Sequence, residues 1–247
     1  MMFARTLTTS LLGALALSIV GCNNSTSTTE STTDSTTTAP ATTTATTTPT
    51  SNIVTTPENM LIVMQKVANY AKWKPVYDGH DTARLAAGLH SYVIGRGIQD
   101  SNMVMVVLKV DDTTKAKAFA KDPGLKEAMK KGGVVGTPTI TLLTTTYQDT
   151  SDVSTTLRAS STLTVKDFDA WVTALNAGDQ ERKENGIVVR TYGHDASDNH
   201  KVRIVSALTD STKAMAYYKS DAMKKRMADA GVVGQPTRFY YHLVQRY

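Results

Sequence analysis

The amino-acid sequence predicts an α+β protein built from two tandem copies of one β-α-β-β-α-β unit. Three observations carry this reading: a self-match at a constant offset of 98 residues, hydrophobic patterning that alternates between strand and helix periods inside each copy, and a Thr/Ser-rich stretch that separates both copies from the N-terminus. The self-match is dense. Gly133-Val134-Val135-Gly136-Thr137-Pro138-Thr139 recurs as Gly231-Val232-Val233-Gly234-Gln235-Pro236-Thr237, and Trp73, Arg84, Gly88 and Met129 recur as Trp171, Arg182, Gly186 and Met227. From Val67 to Thr139, 23 of 73 positions are identical to their partners without one insertion. Two such copies share one fold.

The second copy gives the elements most clearly. Leu157 to Val165 forms a first strand. Phe168, Trp171, Ala174 and Leu175 then recur at helical spacing behind Asp167 and Asp169, which suit a helix N-terminus. Gly186 ends that helix, where a left-handed residue is wanted. Ile187 to Gly193 is a strand, Asp195 to Asn199 a polar turn, and Val202 to Leu208 the next strand. Asp210 or Ser211 caps a second helix that runs through Met227 and stops at Gly231, and a last strand follows Pro236. That order is the ferredoxin-like split βαβ unit. In copy one Pro75 predicts a first helix that starts late or kinks, Asp122-Pro123 an N-cap and first-turn proline of a new segment, and Thr139 to Tyr147 the last strand.

The N-terminal quarter has a different character. Residues 1–21 read as a signal peptide, with Arg5 as the positive region and Leu11 to Val20 as an apolar run of about ten residues, too short to span a membrane. The run closes on Ile19-Val20-Gly21-Cys22, which resembles the lipobox of bacterial lipoproteins. The resemblance implies cleavage before Cys22, acylation of the new N-terminus, and a membrane anchor of several fatty chains. Asn23 and Asn24, with no Asp beside the cysteine, imply the outer membrane, so the expected location is the cell envelope, facing the periplasm or the exterior. Residues 22–57 are almost wholly Thr, Ser, Ala, Asn and Pro, and predict a disordered tether spanning roughly 30–35 Å as a flexible coil. Residues 58–148 are then repeat one, 149–156 the connection, and 157–247 repeat two.

The repeat itself resembles small dimeric α/β-barrel proteins of the cyclase-like, antibiotic-biosynthesis-monooxygenase-like group. The resemblance rests on Val165-x-Asp167-Phe168-x-x-Trp171, Arg182-x-x-x-Gly186-Ile187, Lys213-Ala214 and Met227-x-x-Ala230-Gly231-Val232-x-Gly234-x-Pro236. It implies two ferredoxin-like sheets enclosing an eight-stranded barrel, here an intrachain pseudo-dimer in a monomeric protein.

Composition excludes several functions. The net charge of +5 is mild and evenly mixed, so no nucleic acid is expected as a partner. With one cysteine there is no internal disulfide and no cysteine zinc site. The five histidines, His80, His90, His194, His200 and His242, have no ligand spacing, so no metal is expected. Both glycine-rich segments follow helices, the wrong order for a phosphate loop. If helices cover one face of each sheet, the other face lines a cavity. Strand alternation nominates Arg190, Tyr192 and His194 in copy two, His90, Tyr92 and Arg96 in copy one, Arg203 on the third strand, and Arg238, Tyr240 and His242 on the last. These residue types suit a small anionic or polar ligand, against the alternative of a polar inter-sheet interface. A ligand- or partner-binding envelope protein is favoured over a cofactor-independent oxygenase, isomerase or cyclase, because delivery outside the cytoplasm removes access to reduced cofactors; no cofactor is expected.

Overall fold

The computed structural model describes residues 51–247; the leader, Cys22 and the tether as far as residue 50 lie outside the described residues. Copy one contains β2 (Glu58–Val67), α1 (Tyr70–Gly79), α2 (Asp81–Ala86), β3 (Leu89–Gly97), β4 (Met103–Val110), α3 (Thr113–Phe119), α4 (Pro123–Lys131) and β5 (Val134–Asp149). Copy two repeats the series as β6 (Leu157–Val165), α5 (Phe168–Ala177), α6 (Asp179–Glu184), β7 (Ile187–Asp195), β8 (Asp198–Leu208), α7 (Ser211–Lys219), α8 (Asp221–Asp229) and β9 (Val232–Arg246). A short β1 (Ile53–Val54) precedes them and pairs with the end of β5, so order begins a few residues earlier than the tether boundary at 57 predicts.

Each helix expected from the periodicity is two helices. Local side chains explain the breaks. Asp167 accepts a hydrogen bond from the Ala170 amide at 2.7 Å to start α5, and Gly178 stands between α5 and α6. Ser220 accepts from the Met223 amide at 3.1 Å and opens α8 where a continuous helix is expected. In copy one Arg84 bridges the corresponding break, donating to the Tyr77 carbonyl at 2.7 Å and to Asp81 at 2.9 Å. Asp122 caps α4 with Pro123 in its first turn, as the dipeptide predicts. Pro75 does not delay α1: Asn69 caps the helix, Trp73 anchors it, and the chain runs helical through the proline. Gly88 and Gly186, at φ of +67° and +69°, supply the left-handed turn after α2 and α6.

The strands form one closed antiparallel circuit, β5-β2-β4-β3-β9-β6-β8-β7 and back to β5. Within it lie two ferredoxin-like sheets, β5-β2-β4-β3 and β9-β6-β8-β7. Two seams join them, and they obey the same 98-residue offset: Gly95 pairs with Leu243 across β3–β9, and Gly193 with Thr145 across β7–β5. β5 and β9 reach both sheets because they are long. They begin at Val134 and Val232, ahead of the prolines from which a strand is expected, and register shifts opposite Gln65 and Leu163 let Pro138 and Pro236 stand where the ladder needs no donor. Helices cover the outer faces. Leu61, Val67, Trp73, Leu89 and Val106 pack there in copy one, and Val165, Trp171, Val189 and Val202 in copy two.

The seams are tight. A Cβ on Gly193 would fall within the backbone around the Thr144 carbonyl oxygen, and one on Gly95 within the Tyr241 ring. Gly193→Ala is expected to lower stability by about 1–3 kcal/mol, measured by urea unfolding with circular dichroism. Unchanged stability in that variant would mean that the β5–β7 seam is not closed in solution.

Candidate functional site

The barrel interior is the candidate site. Antiparallel alternation sends Leu61, Val63 and their neighbours outward and sends Met60, Ile62, Met105 and Val107 inward, where they form an apolar wall with Val93 and Leu143. The opposite wall comes from the same positions of copy two. Along the 98-residue offset Met60 becomes Arg158, Ile62 becomes Ser160, Met105 becomes Arg203 and Leu143 becomes Tyr241, while Val107 stays valine as Val205. A largely apolar wall that also carries Tyr92, Thr145 and Gln148 thus faces a cationic wall across a cavity of about 80 Å³. Arg158, Arg190, Arg203 and Arg246 line it, and among the lining residues Asp149 alone carries a carboxylate.

The partners of these charges decide what the cavity can do. Arg190 is neutralised: it donates to Asp149 at 2.8 Å, to the Ser151 hydroxyl at 3.1 Å and to the Ser151 carbonyl, all from the connection between the copies. Glu58, at the start of β2, is also engaged, with Lys109 at 3.0 Å and the Gln148 amide at 2.6 Å. Burial alone raises its pKa, but those two hydrogen bonds outweigh burial and leave it below the ordinary value. Arg158 and Arg203 have no carboxylate. Arg158, 6% exposed, donates to the carbonyls of Thr155 at 2.6 Å and Leu157 at 3.0 Å. Arg203 donates to the Ser160 hydroxyl at 2.9 Å, and its Nε is enclosed with no partner. Burial pulls both guanidinium pKa values down, yet a guanidinium stays protonated at neutral pH. Between them Tyr241, fully enclosed, has its phenol pushed far up by burial, against the opposing pull of Arg158, Arg203 and Arg246. It is a neutral hydroxyl beside unpaired positive charge.

The structure divides the residues nominated by alternation. A β-bulge at Arg190, between Val189 and Thr191, breaks the parity of β7. Arg190 turns inward and Tyr192 borders the cavity, although its ring stacks on Tyr147 and lies edge-on to Trp171 under the helices, where His194 also lies edge-on to Phe168. The equivalent bulge at Tyr92 does the same in β3. Tyr92 lines the cavity, His90 is exposed and bonds Asp111 at 2.7 Å, and Arg96 lies over the Tyr70 ring on the helix side. Arg203 is inside, as expected. Arg238 and Tyr240 are outside, packed toward the helices, and His242 is exposed against Thr156 at 3.0 Å. Arg158, Ser160, Tyr241 and Arg246 are the interior residues that alternation on single strands missed. The signal that finds them is the offset itself, which sets arginine opposite methionine twice.

Arg238 marks a second, smaller difference between the copies. It stacks over Tyr218 at 4.4 Å in a helix-side pocket of about 80 Å³ lined also by Ser161 and Ser206. Burial pushes the Tyr218 phenol up to about 12. Copy one holds Ile140, Ala120, Val63 and Leu108 at these positions. Among the described residues no three His, Cys, Asp or Glu side chains gather as a metal set, and no helix is long and apolar enough to cross a membrane.

Known structures repeat this architecture. The chain is similar to a protein of Fusobacterium nucleatum provisionally described as a monooxygenase (TM-score 0.51, 11% identity, 76% of this chain and 93% of that one). It is similar to a protein of Lactobacillus acidophilus with the same description (TM-score 0.50, 11% identity, 76% and 94%). An anthrone oxidase-like protein gives a TM-score of 0.55 at 11% identity over 79% and 95%. At this identity the likeness is one of fold: an α+β, ferredoxin-like pseudo-dimeric α/β barrel. No family model and no curated protein matches the sequence.

Two substitutions test the charge arrangement through stability alone. Arg203→Met copies Met105 and removes a desolvated charge without a counter-ion, so it is expected to stabilise the ligand-free protein by about 1–3 kcal/mol in urea. Asp149→Ala strands the Arg190 guanidinium and is expected to cost about 3 kcal/mol in the same measurement.

Proposed function

We propose that the protein is an envelope-anchored lipoprotein that binds a small anion inside its pseudo-dimeric barrel. The observation that carries the binding reading is the pair Arg158 and Arg203, two buried or half-buried cations without a carboxylate partner, facing an apolar wall. A charge held this way costs stability, and an anion beside it restores the missing electrostatic partner. The anchoring reading is supported by Ile19-Val20-Gly21-Cys22 and the Thr/Ser-rich segment that follows. Acylation at Cys22 and a tether would hold the barrel at the membrane, with the cavity open to solutes outside the cytoplasm.

A second reading is catalytic, a cofactor-independent oxygenase, isomerase or cyclase. It is favoured by the helix-side pocket of copy two, where Arg238, Ser161, Ser206 and Tyr218 replace apolar residues of copy one. Folds described as monooxygenases and as anthrone oxidase-like agree with it. Oxygen uptake with anthrone as the probe, lost in Arg238→Ile, would establish this activity; no uptake leaves the binding reading alone.

Native mass spectrometry of the chain purified from its own host tests the first reading. A co-purifying small anion is expected, absent from the Arg203→Met variant and reduced in Arg158→Met. In parallel, labelled palmitate is expected to enter the wild type and not Cys22→Ala. A protein with no adduct and no stabilisation by any added anion contradicts the binding reading, and labelling that survives Cys22→Ala contradicts the anchor.

A further inference from the structure

We infer that the anion taken by the barrel is a short-chain aliphatic monocarboxylate, its carboxylate on Arg203 and its hydrocarbon against Met60, Ile62 and Met105. This rests on the anion-binding reading and narrows it by size, by donor geometry and by the chemistry of the facing wall.

Size sets the upper bound. A cavity of about 150 Å³ binds benzene. The interior offers about 80 Å³, about half of that, and suits a ligand of a few carbons better than an aromatic ring.

Donor geometry calls for an oxyanion. Arg203 uses one Nη on Ser160 and keeps its second Nη, its Nε being sealed from the cavity, and Arg158 spends a single Nη on the Thr155 and Leu157 carbonyls. The free guanidinium donors of Arg203 suit a carboxylate oxygen. Asp149 is the carboxylate lining the cavity, and it is occupied by Arg190, so no side chain competes for these donors.

The facing wall disfavours the alternatives. Phosphate or sulfate would turn some of its oxygens toward Met60, Ile62, Met105 and Val107, which offer no donor, and would depend for the rest on the hydroxyls of Tyr92, Thr145, Thr191 and Tyr241 and on Arg246. A dicarboxylate would bury its second charge against the same wall. A monocarboxylate with a short chain satisfies both sides: the charge meets Arg203, and the methylenes meet the thioethers and the isoleucine. Copy one carries methionine where copy two carries arginine, so the two copies together give the cavity one polar end and one apolar end.

Calorimetry and thermal unfolding of the purified full-length chain separate the possibilities, with acetate, propionate, butyrate, benzoate, phosphate and sulfate as probes. Propionate or butyrate is expected to bind one to one, at least about tenfold tighter than phosphate, sulfate or benzoate, and to raise the unfolding temperature. Arg203→Met is expected to weaken that binding about tenfold or more and Arg158→Met to weaken it less, each checked for native circular dichroism. Preference for phosphate or sulfate overturns the carboxylate assignment and leaves an anion-binding barrel. Equal binding of benzoate overturns the size limit. Absence of binding by every probe overturns the assignment and the anion-binding reading together.

Discussion

Closing eight strands into one circuit inside a single chain is the constraint on which the rest of this molecule depends. Two four-stranded sheets left separate would each present unpaired edges, and those edges promote pairing with other chains. The β3–β9 and β5–β7 seams consume them. The closeness of the seams fixes residue choice: at Gly95 and Gly193 the facing chain lies where any Cβ would be. It also fixes strand length, because β5 and β9 must pair with one sheet at their beginnings and with the other at their ends. Once the circuit is closed, whatever the inner faces carry is enclosed with whatever the opposite copy carries.

That enclosure makes the duplication informative. Two copies of one unit begin with identical inner faces, so every difference between the facing walls arose after duplication. Copy one is largely apolar on its sheet, with Gln65, Thr145 and Gln148 as buried polar side chains. Copy two carries Arg158, Ser160 and Arg203 inside and Ser161, Ser206 and Arg238 outside, while Trp171, Ala214 and the turn at Gly186 match copy one. Although only 23 of 73 aligned positions are identical, Trp171, the cap at Asp210 and the turns at Gly186, Gly231 and Gly234 match copy one, whereas two interior methionines of copy one stand opposite arginines. A copy under selection for folding alone has no reason to exchange methionine for an unpaired arginine, because the exchange removes stability and adds none. The connection between the copies adds to the same asymmetry, since Asp149 and Ser151 neutralise Arg190 and leave the deeper arginines uncompensated.

The legibility of this in the sequence followed the physics of each signal. β6, read from composition and turn residues as Leu157 to Val165, has those bounds in the structure, and the ferredoxin-like order follows from repeated local cues. Helix breaks were missed at Gly178 and Ser220 because hydrophobic period persists across a break, whereas a competing cap, Ser220, acts through one hydrogen bond. The face assignments failed for a different reason. Alternation carries a single bit of information per strand, and one bulge inverts it for everything beyond, so the Tyr192 ring and His194 moved to the helix side although Arg190 went inward. On β9 the period was right and the face was chosen wrongly: Arg238 and Tyr240 look more functional than Phe239 and Tyr241, but the helices lie over them.

Those failures say why Arg158 escaped notice and how a repeat protein reveals it. Arg158 begins a strand of small polar residues and reads as an exposed end; only its alignment with Met60 shows that it occupies a core position. An arginine in place of a core methionine exchanges an apolar side chain of similar reach for one with five donors that the surrounding wall cannot satisfy. Arg203 answers a part of that demand through Ser160, itself a replacement of Ile62, and the rest stays open. The demand is fixed by closure, because the strands that carry these residues cannot swing away without breaking a seam. A barrel that holds unpaired donors against an immovable apolar wall is preorganised: the cost of gathering the charges is met in folding, and an anion that fits has little left to order when it binds.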